Sequence, residues 1–502
     1  MFAVRLKSIT KRFGKVLAND SVDIDIKKQH IHAIIGENGA GKSTIMEILY
    51  GFYQADSGEI EVFGEKVEIS NPHVAIKNGI GMVHQHFMLI PPMTVAENII
   101  LGVESPKTGG ILQLAKAEEK IQKLSDEYGL QIDPKAKVET LSVGLEQRVE
   151  ILKALYREVD ILILDEPTAV LTPLEVKEFF QILKKLKDQG KTIIIITHKL
   201  DEVLEISDEV TVMRNGKKVG DIETKEATAG ILANLMVGRE VLLRLNKKPV
   251  DTGEVVLKVD NLSVTIENSE KLKDVSFEIK EGEVVGIAGV EGNGQTELVE
   301  ALTGLRKASS GSVWFRGENV TNISARTIRE KSIAHVPANR KAHGFISSFS
   351  NANNKILGFH YRKPFCRSSG FFDFYTIKEY AEKLVDEFDV RPPNIDIPTS
   401  SLSGGNQQKL VVARELNQHP KLLIIAQPTR GVDIGAIEFI HQHILNLREK
   451  KVAILLVSAE LEEIRSLSDR TLVMYEGEVA GEVNSETFDI QKIGLMMTGQ
   501  VE

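Results

Sequence analysis

Residues 31–50 read IHAIIGENGAGKSTIMEILY. The run Ile31 to Ile35 is almost wholly apolar, the composition of a strand buried on both faces. Residues 36–43 fit the pattern GxxxxGK[ST], and Thr44 to Tyr50 continues as a helical segment. Strand, glycine-rich turn and helix in that order make a phosphate cradle. The glycines let backbone N–H groups converge on phosphate oxygens, and the helix N-terminus adds a favourable dipole. Gly36, Asn38, Gly39, Gly41, Lys42, Ser43 and Thr44 are therefore expected to hold a nucleotide. Lys42 would reach its β and γ phosphates, and the Ser43 hydroxyl would bind Mg²⁺.

The run Ile161-Leu-Ile-Leu164-Asp165-Glu166 is an apolar strand that ends in two carboxylates. At such a C-terminal edge Asp165 is placed to hold Mg²⁺ through water. Glu166 is placed to polarise the water that attacks the terminal phosphate. Many strands end in Asp, so the acidic pair alone is a weak signal. Joined to the glycine motif upstream it is a strong signal.

The chain is one unit written twice. Gly36 falls opposite Gly289, Ile26 opposite Ile279 and Val83 opposite Val336 at a constant spacing. Leu141-Ser142 falls opposite Leu402-Ser403 at a slightly larger one, so the second copy carries a small insertion. Residues 1–240 are read as the first domain, 241–254 as a linker with Pro249, Asp251 and Gly253, and 255–502 as the second domain.

Composition sets outer limits. A chain of 502 residues, 42% hydrophobic and 26% charged, suits two or three globular domains. Its formal net charge of -9 argues against non-specific nucleic-acid binding, so no nucleic-acid partner is expected. One cysteine, Cys366, allows no internal disulfide and fits a reducing cytoplasm. The N-terminus enters a strand pattern directly, without the features of a signal peptide. No apolar run approaches the ~20 residues of a membrane span. Any membrane-crossing helices are expected from other chains.

At Leu402-Ser403-Gly404-Gly405-Asn406-Gln407-Gln408 the sequence resembles the signature of ABC ATPases, with a weaker version at Leu141 to Gln147. Gln85 stands where that family has its Q-loop glutamine, His198 where it has the switch histidine, and Phe13 where an aromatic stacks on adenine. The resemblance covers both copies. It implies an α/β fold of two tandem P-loop ABC ATPase domains, each a mixed-sheet core with a helical subdomain. It adds Gln85 to Ser43 and Asp165 as a Mg²⁺ ligand, and Gln85 and His198 to Glu166 as catalytic residues.

The family also implies head-to-tail pairing, each ATP lying between one copy's phosphate loop and the other's signature. The first copy has Lys42, Gln85, Asp165, Glu166 and His198. Facing it are Ser403, Gly404, Gly405 and the D-loop Asp433 of the second copy. The opposite site has Gln295, Ala338, Ala426, Gln427, Ala459 and Ile266 in place of Lys42, Gln85, Asp165, Glu166, His198 and Phe13. It faces Val143, Leu145 and Thr172. A cation ~4 Å from a phosphate charge contributes ~4 kcal/mol at an effective dielectric of ~20, which neutral Gln295 does not replace. Random decay would not sort intact and altered parts by composite site.

Tandem ABC chains with a degenerate second half resemble the importer subunits for simple sugars and nucleosides in bacteria. Met82 to Phe87 and Gly292-Asn-Gly-Gln295 look like the nucleoside type. A simple sugar such as ribose or galactose is the alternative, and a soluble ABC regulatory ATPase the rival class. The implied partners are two transmembrane permeases and, indirectly, an extracytoplasmic substrate-binding protein. The chain would lie at the cytoplasmic face of the membrane without touching the transported substrate. Phe371, Phe372, Phe374 and Tyr375 read as local packing of the second copy's helical region, with a docking surface as the lesser reading.

Overall fold

The computed structural model describes the chain except residues 15, 85–86, 104–106, 109–110, 169–170, 172, 241–246, 291, 433, 498 and 500–502. It divides into two compact units, Met1–Leu243 and Arg244–Glu502. The described part of the segment read as a linker is tied to the second unit. Lys247 Nζ donates to the Ser468 carbonyl at 2.6 Å, and Arg448 donates to the Lys248 carbonyl at 2.7 Å.

In the first unit the hairpin Phe2–Phe13/Val16–Lys27 joins Ser57–Val62 and Glu65–Val67 in a four-stranded antiparallel sheet. A six-stranded sheet follows the order Lys217–Glu223, Glu209–Arg214, Ile31–Gly36, Thr192–Thr197, Ile161–Asp165, Ile80–Val83. All of its pairings are parallel except that of Lys217–Glu223. The runs Ile31–Gly36 and Thr192–Thr197 are buried at every position. Alternate side chains serve opposite faces. Ile194 and Ile196 join Ile34, Ile45, Met46 and Leu49 in a core shared with the antiparallel sheet. Ile193 and Ile195 pack with Val149, Leu152, Phe179 and Leu183 of the covering helices. This two-sided burial is why the strands carry β-branched residues without polar alternation.

The second unit repeats both sheets strand for strand. Its parallel core runs Ile333–Val336, Leu422–Ala426, Ala453–Ser458, Val284–Ala288, Arg470–Tyr475, with Glu478–Asn484 antiparallel at the edge. Its interior differs beside one asparagine position shared by both units. Asn98 and Asn354 occupy equivalent places, each accepting a backbone N–H from eight residues earlier, Ile90 or Ile346. The next residue in the first unit is the buried Ile99, and in the second it is the equally buried Lys355. Near it lie Arg414, which donates to the Asn354 carbonyl at 3.2 Å, and Glu415, bonded to both Arg414 and Arg329.

Lys355 Nζ has no hydrogen-bond partner and lies 5.8 Å from the Phe388 ring centroid. Burial, then the charge of Arg414, pulls its pKa down from 10.5 to about 7. A lysine with a depressed folded pKa opposes folding while it is charged. The unfolded chain binds the extra proton between about 7 and 10.5, so stability rises with pH across that window. Lys355→Met is therefore expected to raise unfolding free energy by on the order of 2 kcal/mol near pH 6. That advantage should shrink as pH climbs towards 10, as read by chemical denaturation of the second unit's signal.

Candidate functional site

The phosphate loop is shaped by backbone approaches that only glycine permits. A Cβ on Gly36 would lie 2.3 Å from the Met213 carbonyl oxygen, and one on Gly41 2.3 Å from that of Ala18. Gly41 also has φ of 92°, in the left-handed region, and immediately precedes the helix Lys42–Tyr50. Gly39 has φ of +82° with open space where a Cβ would stand. The Lys42 side chain curls over the loop and donates to the carbonyls of Gly36 at 2.8 Å and Glu37 at 3.0 Å. Burial lowers the Lys42 pKa, and the charges of Glu166 and Asp165 oppose that fall. Asn38 and Gly39 are exposed, while Ser43 and Thr44 are half-buried at the first turn of the helix.

Parallel register brings the acidic pair to the same edge of the sheet. Ile196 lies opposite Asp165, and Thr197 opposite Ile35. Asp165 accepts a hydrogen bond from Ser43. Burial, then the neighbouring Glu166 charge, nevertheless raises its pKa. The chain turns sharply after it. Glu166 has φ of 46°, and its N–H donates to the Ile196 carbonyl at 2.8 Å. Its carboxylate meets His198 Nδ1 at 2.9 Å. Burial pushes the Glu166 pKa up, but the bond and charge of His198, with Lys42, leave it below the usual carboxylate range. Glu166 is thus held ionised beside the cradle. Lysine, hydroxyl and carboxylates in this arrangement suit a magnesium-bound triphosphate: Ser43 and Asp165 would face the cation and Lys42 the phosphates.

Phe13 ends the first strand, 41% exposed, with its ring edge-on to Tyr53 at 5.0 Å. The partner strand of the same hairpin carries Ala18 and Asn19 against Gly41. Asn19 is a residue the motif search passed over. It is fully buried, and its Nδ2 donates to the Gly41 carbonyl at 3.1 Å. In the sequence it sits in the polar run Asn19-Asp20-Ser21, which reads as an ordinary hairpin segment. Gln85 and Asp433 lie outside the described residues, as does Thr172.

The second unit keeps this backbone and loses its chemistry. Gln427 has φ of 49°, like Glu166, but its Oε1 accepts a bond from the Ala459 N–H at 3.3 Å. Gln295 folds into its own loop and donates to the Val290 carbonyl at 3.1 Å. Leu272 stands where the first unit has Asn19, and it is buried.

The signature helices differ in the opposite sense. Ser403 caps Gly404–Leu416 and Ser142 caps Val143–Tyr156. A Cβ on Gly404 would lie 2.6 Å from Arg340 Nη2, whereas one on Gly144 would lie 2.7 Å from Glu175 Oε1. A cation therefore stands at the N-terminus of the intact signature, and a carboxylate at that of the altered one.

Comparison with known proteins agrees with this geometry. Residues 19–169 and 272–430 both match the family model described as ABC transporter. The nucleoside import ATP-binding protein NupA of Lactococcus lactis subsp. cremoris is 47% identical over 99% of this chain and 98% of its own length. The guanosine import ATP-binding protein NupO of Bacillus subtilis is 48% identical over 100% of this chain and 98% of its own. The glucose import ATP-binding protein TsgD13 of Haloferax volcanii is 46% identical over 99% and 96%.

Replacing Asn19 with Leu, the second unit's choice, removes the bond to Gly41. It is expected to cost about 1 kcal/mol of stability and to weaken binding of a fluorescent ATP analogue, both measurable on the purified variant.

Proposed function

The chain belongs to the ABC transporter family, and we propose that it is the ATP-hydrolysing subunit that energises an importer of nucleosides. The first unit supplies the intact phosphate-loop side of one ATP site. The observation that carries this reading is the constellation Lys42, Asp165, Glu166 and His198, set against Gln295, Ala426, Gln427 and Ala459 on an equivalent backbone. Nucleosides as cargo are supported by the two relatives named for nucleoside and guanosine import. The relative named for glucose import supports a simple sugar as the second reading. In either case the cargo passes through two permease subunits, fed by an extracytoplasmic binding protein, while this chain works at the cytoplasmic face. No helix among the described residues is long and apolar enough to cross a membrane.

In the reaction the two carbonyls that hold Lys42 exchange for phosphate oxygens. The ammonium then follows charge onto the leaving phosphates. Glu166 accepts a hydrogen bond from the attacking water and aligns it for in-line displacement. His198 fixes the Glu166 carboxylate from its other side. Ser43 and Asp165, with Gln85, would hold Mg²⁺, which when bound neutralises charge on the β and γ phosphates. Phe13 would cover the adenine.

Glu166→Gln keeps the shape and removes the charge. ATP binding is expected to persist while turnover falls roughly 10²-fold or more. Wild-type turnover in that variant would sink the assignment.

The sorting of intact and altered motifs along the sequence supports head-to-tail pairing, in which Ser403, Gly404, Gly405 and Asp433 complete the site built on Lys42. A carboxylate at Gly404 falls beside Arg340, so the helix can keep its fold, yet it opposes a phosphate there. Gly404→Asp is accordingly expected to abolish most hydrolysis, as Lys42→Ala does. Gly144→Asp should do much less, with melting curves confirming that each variant is folded. The reverse ranking in ATPase assays would overturn the pairing.

A further inference from the structure

The nucleotide chemistry leaves unexplained the loop that leads into the helix Phe374–Glu387. The sequence reading favoured local packing of its aromatics over a docking surface. The structure shows local ring contacts for Phe372 but leaves the other three largely exposed. Phe371 is 74% exposed, Phe374 73% and Tyr375 71%, with Phe372 also exposed. The loop is firmly built. Phe365 is buried with Ile356, Phe359 and Ile377, and its ring meets Tyr380 edge-on at 4.8 Å. The Arg367 N–H donates to the Phe371 carbonyl and the Asp373 N–H to the Phe365 carbonyl, both at 2.9 Å. Asp373 also accepts from the Thr376 N–H and from Arg367. Phe372 meets the rings of His360 and Phe374 edge-on, both at 6.2 Å, and Tyr375 bonds Glu379. Yet the stiffened turn leaves most of the Phe371, Phe374 and Tyr375 ring area in water.

Charge at this place runs against the chain as a whole. The protein carries a net charge of -9, yet the loop holds Arg362, Lys363 and Arg367 against the single carboxylate of Asp373, which pairs with Arg367. Lys363 is exposed, and Arg362 is half-buried over the Tyr361 ring. Aromatic side chains beside lysine and arginine are the composition of a bilayer headgroup contact. Phe371, Phe374 and Tyr375 together expose roughly 450 Å², and the cations beside these rings favour a headgroup layer over a protein partner.

We propose that this loop is a lipid-contact site, which seats Phe371, Phe374 and Tyr375 in the headgroup layer of an anionic bilayer while Arg362 and Lys363 meet its phosphates. The full-length chain is mixed with vesicles of phosphatidylcholine containing about 30% phosphatidylglycerol and sedimented at low salt. Binding is expected there, with little on pure phosphatidylcholine, and it should weaken at about 0.5 M salt. The triple variant F371S/F374S/Y375S is expected to lose most of it. R362E/K363E is expected to lose about tenfold or more, since each basic residue near such a surface contributes ~1 kcal/mol. Unchanged melting temperature and basal ATPase activity in both variants establish that the fold survives. The proposal is overturned if the wild-type chain does not sediment with anionic vesicles, or if the triple variant sediments equally well. It is also overturned if the variants keep lipid binding and lose only co-purification with the permease, which would make the loop a protein-docking surface.

Discussion

The parallel register of three strands, Ile31–Gly36, Thr192–Thr197 and Ile161–Asp165, is the constraint on which the first unit's chemistry depends. Each strand is buried on both faces, so none can slip without exposing isoleucines or burying carboxylates. In that register all three carboxyl ends fall on one edge. Lys42, Asp165, Glu166 and His198 stand at or just beyond those ends, far apart in sequence and together in space. Open α/β sheets place their ligand sites at such an edge because helix N-termini and unpaired backbone amides collect there.

The site is also held under a local constraint that apolar packing does not supply. Glu166 adopts a positive φ, which an ordinary residue avoids, and its amide is anchored to Ile196. Gln427 repeats that conformation in the second unit without the carboxylate or the histidine. Two copies of one backbone thus separate scaffold from chemistry. Strand order, loop glycines and turn geometry persist where side-chain charge has gone. What the second unit keeps is its signature helix, where Arg340 stands beside Gly404, while Glu175 occupies the matching place in the first unit.

Divergence extends into the core. The Arg329, Glu415 and Arg414 cluster and the lone amine of Lys355 lie in a part of the second unit where the first unit has Ile99. Buried ionic groups of this kind add little net stability and depend on complete pairing. Lys355 lacks that pairing, which makes this region more sensitive to pH than its counterpart.

Much of this was legible in the amino-acid sequence alone. The repeat, the glycine loop at 36–43, the carboxylates at 165 and 166, and the two unequal signatures are local patterns. Each is dictated by a backbone or charge requirement within a few residues, so spacing suffices to find it. The family, the fold class and the asymmetry between the copies follow from those patterns. Tertiary structure decided what depends on contacts between distant segments. It showed Asn19 reaching the Gly41 carbonyl, Lys355 sealed without a partner, and Arg340 and Glu175 set against opposite signature helices. It also showed that Phe371, Phe374 and Tyr375 face solvent. Burial and pairing arise from the whole packed chain, and hydrophobic character by itself does not say whether an aromatic side chain lies in the core or on the surface.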